Sequence, residues 1–533
     1  MPLVWCAASL SMMGFGAYAA DSVVERAEVD SGELATPAAQ IGVLAVPSKP
    51  LPDKSKDFAF YPSLKAEDYS DIDYSEPLRP QFHLTSGRNW LNDPNGMVHD
   101  GEKYHLFFQH NPVAPVWGNM TWGHATSRDM IHWTQQPHAL LPYRVDGSTG
   151  TIFSGTAVVD HNNSLGVQKG SQKTLCAFFT YATEPKFYQA MAYSTDGGKS
   201  WTYWNEGRAV VPHQGFDNGE RDPKVFWHEP SQQWVMSLWV QSNPGRVRFF
   251  TSKNLTDWEF TSDLMRDWAF ECMDVVFYPT RDGGEKAVIY DASFDYEVGT
   301  FDGKEFHTEA GPFIPGGGNF YAAQTFNNSP DGRVVQIGWM RGGPNTAEKY
   351  GLPYNQQMAF PCELTLRDVK GEPRLFAWPI KEIESLVVAT HEQGRAALDE
   401  QGVDLLDGDK LDLADIELAF DPGDAETVYF DLGKARLWFK SASHELWMSG
   451  VNDNGDRVDT LMLRDLAPRD RVVKLRLLVD RLSVEAFAFG GEQFYAGYYV
   501  PLEEACGAVV RASGAGASIH SVTARQLRSA WSR

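Results

Sequence analysis

Cysteine is scarce in this 533-residue chain: there are five, at positions 6, 176, 272, 362 and 506, and none forms a CxxC pair. That spacing excludes a zinc-finger-like cluster and a dense disulfide framework, leaving buried free thiols as the expected state. Basic residues are in deficit too, 47 Lys plus Arg against 70 Asp plus Glu, and the net charge of −23 opposes a phosphate backbone or an anionic membrane surface. Nucleic acid is therefore not an expected partner. Beyond the N-terminus, no apolar run approaches the ~20 residues a membrane-spanning helix needs. Residues 3–20 are apolar and rich in small residues, and Ala17-Tyr18-Ala19 reads as a cleavage site, although no basic region precedes it. A signal peptide over 1–19 and a secreted or periplasmic location are expected. Residues 20–76 carry Pro37, Pro47, Pro50 and Pro52 among Ala, Ser and charged residues, the composition of a linker or N-terminal extension.

What remains is globular in composition, 43% hydrophobic and 22% charged, and long enough for two domains with full cores. Its 17 Trp suit sugar faces and all-β cores equally and decide nothing alone. A repeat is more informative. Ser127-Arg128-Asp129 leads to Trp133, Ser194-Thr195-Asp196 to Trp201, and Ser252-Lys253-Asn254 to Trp258, with a looser copy from Phe301 to Phe306. Alternating apolar residues flank each copy, which reads as strand, turn, strand. The anchors lie 68, 57 and 48 residues apart, near the repeat length of four-stranded propeller blades. A β-sandwich could carry similar hairpins, but regular spacing favours a propeller, with about five blades over residues 77–383. Residues 380–386 read as a short connecting helix and 384–395 as a linker. Residues 396–528 alternate with strand period and form a second all-β unit.

One carboxylate stands in a stretch with little backbone freedom. In Asn92-Asp93-Pro94-Asn95-Gly96, proline disfavours a helical Asp93 and Asn-Gly signals a turn, so Asp93 is expected at a strand end entering a tight turn. Taken alone the run is an ordinary Asx turn. It is followed, in order, by Tyr104–Pro112, Trp117–Ala125, Phe153-Ser154-Gly155, Glu220-Arg221-Asp222-Pro223-Lys224 and Phe270-Glu271-Cys272-Met273-Asp274. This ordered set resembles the signature blocks of glycoside hydrolase family 32, the β-fructofuranosidases, over residues 77–383, with a weaker likeness to about 527. Any one block would be a weak signal; several in order are specific. The resemblance implies a five-bladed β-propeller followed by a C-terminal β-sandwich, an all-β fold, and hydrolysis of terminal β-linked fructose from fructan or sucrose without a cofactor.

Retaining glycoside hydrolysis needs two carboxyl groups about 5–5.5 Å apart, one to attack and one to protonate the leaving group. Asp93, Asp222 and Glu271 are far apart in the chain and can meet only where blades converge. Amides beside Asp93 should keep it ionised, as a nucleophile requires. Phe270, Cys272 and Met273 should raise the pKa of Glu271, the acid/base candidate. Arg221 should keep Asp222 ionised, and Pro223 should keep it extended, as a stabiliser of positive charge in the transition state. The resemblance adds Asn92, Gln109, Trp117, Phe153, Ser154 and Arg221, with Tyr321 and Trp339, as substrate contacts. Leu91 stands where the family more often has Met or Ile, a volume-conserving change. Met273 stands in place of a common Pro, which should loosen the backbone behind Glu271. Residues 319–326 and 354–361 lean towards levanases and exo-inulinases. A fructosyltransferase using the same acids, an inverting arabinan-type hydrolase and a carbohydrate-binding protein with a decayed site are the alternatives, and oligomeric state and exo or endo action stay open.

Overall fold

A four-stranded antiparallel pattern recurs five times between Asn89 and Pro379 in the computed structural model, which describes residues 69–183, 186–216, 219–280, 283–452, 454–502 and 507–531. The expected signal peptide, residues 20–68 of the expected extension, Cys6 and Cys506 lie outside these residues. The blades open with Asn89–His99, Ser148–Asp160, Glu220–His228, Asp274–Pro279 and Phe320–Thr325, and these five strands are the innermost of their sheets. Neighbouring inner strands abut directly between blades one and two, two and three, four and five, and five and one. Tyr354–Asn355, inserted within blade five, pairs with Asn89 and Trp90 of blade one and closes the ring.

The repeat seen in the sequence is the hairpin between the third and fourth strands of blades one to four. Its Asp or Asn caps the turn: Asp129 Oδ1 accepts from the amides of Ile131 and His132, and Asn254 Oδ1 from those of Thr256 and Asp257. The indole N–H of Trp133 and of Trp258 donates to the carbonyl three residues back, at 3.0 Å in each. The spacing of acid and tryptophan is thus the hydrogen-bonding geometry of one turn, reused.

After the propeller, Lys381–Leu386 forms the short connecting helix, of 3-10 type. The stretch 384–395 is not the expected linker: Val387–Gln393 is a strand that pairs along Ser518–Leu527. Its Thr, His, Glu and Gln suit the partly solvated edge of a sheet and so look like linker composition. Two antiparallel-rich sheets follow, and the faces between them are filled by residues such as Ile416, Phe420, Phe430, Phe439 and Leu477. Gly316–Gly318, between blades four and five, adds a parallel strand to the larger of these sheets beside Phe494–Ala496. A Cβ on Gly318 would stand 2.2 Å from the Tyr495 ring, so this junction needs glycine. Nearby, His83 donates to Asp480 at 2.8 Å and faces Glu485 at 3.5 Å. Cys176, Cys272 and Cys362 are buried and free.

Candidate active site

Four of the five inner strands share an irregularity near their N-terminal ends. In blade one the ladder slips between Asn92 and Pro94, in blade two between Ile152 and Gly155, in blade three between Arg221 and Lys224, and in blade five between Tyr321 and Gln324. Each slip is a β-bulge that frees one or two residues from pairing and re-aims their side chains. The freed residues include Asp93, Phe153, Ser154 and Asp222. Proline explains two of the four, since Pro94 and Pro223 have no N–H to give to the ladder. Asp93 therefore sits inside a continuous strand and not at the entrance to a tight turn; Asn95-Gly96 makes a second slip, with Gly96 at φ +57° packed against Phe107. Asp222 is not extended but lies at φ +62°, because the extra residue of the bulge absorbs the backbone rotation.

Glu271 arrives by another route, just before the inner strand of blade four, with Glu271 and Cys272 at φ +37° and +47°. Neighbouring chain holds this strained segment. Ala292 N–H donates to the carbonyls of Phe270 and Glu271, Phe270 N–H donates to Asp291 Oδ2 at 3.2 Å, and Cys272 N–H donates to Asp222 Oδ2 at 3.2 Å. Met273 does not leave the segment loose: its side chain is 1% exposed, in a core cluster with Trp239 and Phe249.

The side chains then meet. Arg221 Nε and Nη2 both donate to Glu271 Oε2 at 2.8 Å, and Tyr321 donates to Glu271 Oε1 at 2.7 Å. The same guanidinium lies 3.8 Å from Asp222 Oδ2 and donates to Gln241 at 3.2 Å. Ser154 Oγ donates to Asp93 Oδ2 at 3.2 Å, and Thr180 Oγ1 accepts from the Asp222 amide at 3.1 Å. Burial pushes the Asp93 carboxyl up to about 6, against hydrogen bonds from Asn92 and Ser154 and with the Glu271 charge adding to the rise. Burial likewise pushes Asp222 up to about 7, opposed by Arg221 and reinforced by Glu271 and Asp93. Both shifts run against the sequence expectation, because desolvation outweighs nearby donors and because Arg221 is turned chiefly towards Glu271. The Glu271 carboxylate, for its part, meets an arginine and a tyrosine and not the apolar surround its sequence neighbours suggested.

The remaining candidates line the same end of the axis. Asn92 is buried and accepts from Trp90 Nε1 at 2.7 Å. Gln109 is buried with its Nε2 unpartnered, a donor held ready in the interior. Trp117, which residue type alone left divided between core and site, is 59% exposed and meets Phe153 edge-on. Trp339 donates to Gln356 at 3.0 Å and stands edge-on to both Trp90 and Tyr321. Sequence reasoning missed Trp90, Thr180, Gln241 and Cys272 as members of this network. Trp90 lay inside the first motif and was within reach; Thr180 and Gln241 sit on or just after second strands, where no local pattern marks them.

A cluster of three carboxylates and one arginine, carried on bulged inner strands and on the segment that leads into a fourth, is the equipment of a glycoside hydrolase. Residues 83–379 match the model of the glycosyl hydrolases family 32 N-terminal domain, and the chain belongs to that family. It is 33% identical to a levanase of Bacillus subtilis (strain 168) over 86% of its own length and 72% of the relative's. To the extracellular exo-inulinase of Aspergillus awamori it is 30% identical, over 83% of its own length and 93% of that protein. Among solved structures, the exo-inulinase of Aspergillus awamori superposes with a TM-score of 0.73 at 27% identity, covering 86% of this chain and all of that one. A fructofuranosidase of Schwanniomyces occidentalis complexed with fructosylnystose gives 0.74 at 26% identity, covering 86% of this chain and 99% of that one.

Proposed function

We propose that this glycoside hydrolase is an exported, retaining β-fructofuranosidase that removes terminal β-D-fructofuranosyl units from fructans, with levan and inulin ahead of sucrose. Asp93 Oδ attacks the anomeric carbon of the terminal fructosyl unit while Glu271 delivers its proton to the glycosidic oxygen, and the carbon–oxygen bond to the leaving sugar breaks. The product of this step is a fructosyl ester of Asp93. Water then attacks the same carbon, Glu271 takes its proton, and Asp93 departs as a carboxylate. Asp222 binds ring hydroxyls and faces the positive charge that develops on the sugar in both steps. Arg221 and Tyr321 fix the Glu271 carboxyl group, Ser154 orients Asp93, and Asn92, Gln109, Trp117, Phe153 and Trp339 shape the sugar pocket.

The observation that supports this reading is the delivery of Asp93, Asp222 and Glu271 by three blades, with Arg221 between Glu271 and Asp222, the Cys272 amide on Asp222, and Ser154 on Asp93. The substrate class and the extracellular setting are supported by the names of the levanase and of the extracellular exo-inulinase. Incubating the protein with levan, inulin and sucrose and separating fructose from oligosaccharides tests it, with NMR following the anomer first released. Free fructose released with retention is expected. No fructose from any of the three, or inversion, would overturn the reading.

A further inference from the structure

Below the three carboxylates lies a buried ion pair that the chemistry above does not use. Lys224 Nζ stands 3.0 Å from Asp274 Oδ1, 3.1 Å from Asp274 Oδ2, and 3.1 Å from both the carbonyl and the Oγ1 of Thr325. Asp274 Oδ2 also accepts from Thr325 N–H at 2.7 Å, Thr325 Oγ1 at 2.9 Å and the Tyr290 hydroxyl at 3.2 Å. Lys224 is 2% exposed and Asp274 not at all. A pair this deep adds little net stability compared with an apolar pair of the same volume, so its placement asks for another explanation.

Lys224, Asp274 and Thr325 belong to the inner strands of blades three, four and five. Two residues before Lys224 is Asp222, three before Asp274 is Glu271, and four before Thr325 is Tyr321. Asp222 stands within the bulge of blade three, next to Lys224, and the bulge of blade five falls between Tyr321 and Thr325, so neither site residue is held by regular pairing on the side facing the strut. The three inner strands belong to separate sheets, and near the site blades four and five are joined by a single backbone bond from Ala322 N–H to the Ala292 carbonyl and not by a ladder. We infer that Lys224, with Asp274 and Thr325, is a positioning strut that sets Asp222, Glu271 and Tyr321 relative to one another. This rests on the reading of Asp222 and Glu271 as catalytic carboxylates. Asp93, Asn92, Phe153 and Ser154 stand on blades one and two, outside the strut.

Removing the strut should therefore disturb the acid/base and charge-stabilising side of the site while sparing contacts on the other side. In Lys224→Met and in the doubly neutral Lys224→Met/Asp274→Asn, kcat is expected to fall roughly 10- to 100-fold, the cost of about an ångström of misplacement, with KM changed less than about threefold. The double variant should recover the thermal stability lost by Lys224→Met but not its kcat; a pair that only stabilises the fold would recover both. If neither variant folds, Thr325→Val, which removes one hydroxyl, should lower kcat several-fold at unchanged KM. A folded variant of any of these with wild-type kcat overturns the strut. Asp222→Asn and Glu271→Gln are measured alongside: if they keep wild-type activity the functional reading fails, and if they lose it while the strut variants do not, only the strut is lost.

Discussion

Carboxylates are buried at the mouth of the propeller and again where the propeller meets the sandwich, but the two regions are neutralised differently. At the mouth, Asp222 and Glu271 share Arg221, and Asp93 accepts from Ser154. At the junction Asp480 receives His83 together with the amides of Gln81 and Phe82, and within the sandwich Asp415 receives two bonds from Arg476 and one from Arg525. Burial would raise Asp480, yet its bonds to His83 and the two amides hold it below the ordinary carboxylate range. Burial wins at Asp93 and Asp222 instead. Buried charge is matched at the junction and within the sandwich, whereas at the proposed active site it is left partly unmatched.

The largest effect that tests this contrast is Asp93→Asn. If Asp93 is the nucleophile proposed above, hydrolysis should fall roughly 10⁴-fold or more, as when a covalent nucleophile is removed. Stability should move the other way. A carboxyl whose folded pKa exceeds its unfolded value binds its proton more tightly when folded, so it penalises folding increasingly as pH rises from 3.8 to about 6. Above that window the Asn variant should be more stable by up to about 3 kcal/mol, read as a higher melting temperature. Asp480→Asn should do the reverse, losing about 3–5 kcal/mol by leaving His83 without its main partner, while kcat of the folded enzyme stays near wild type. A stabilised Asp480→Asn would collapse the comparison.

Titration sharpens it next. Activity should fall as pH drops through about 6, where Asp93 takes up a proton, and Glu271→Gln should move the acid limb of the residual activity to lower pH by removing a neighbouring negative charge. Burial pulls the His83 pKa down, but Asp480 and Glu485 overcome this and lift it to about 9. Its contribution to stability is complete below 6.5 and is lost as pH rises through about 9, so the melting temperature should decline over that interval and His83→Gln should flatten the decline. The smallest effect belongs to Trp117→Ala: an exposed side chain should cost less than about 0.5 kcal/mol, with any change confined to KM.

Much of this molecule could be read before it was seen. The blade hairpins were legible because one capped turn, with its acid and its tryptophan, is spelled out three times and loosely a fourth. The three carboxylates were legible because each sits in a motif. Their protonation behaviour was not, since Asp93 and Asp222 respond to the burial that distant blades impose, and flanking residues carry no record of it. Nor was the backbone at Asp222, where a proline that suggests extended chain instead accompanies a bulge. Val387–Gln393 was hidden because an edge strand with one wet face has the composition of a connector.

The glycine strand at 316–318 ties the two halves of the molecule together. It is stitched into the sandwich immediately before the segment that carries Tyr321, so cutting away the C-terminal half would unpick the thread that leads to Glu271. A propeller without the sandwich would lose that tether, so the sandwich belongs to the frame of the proposed site whether or not it ever touches sugar.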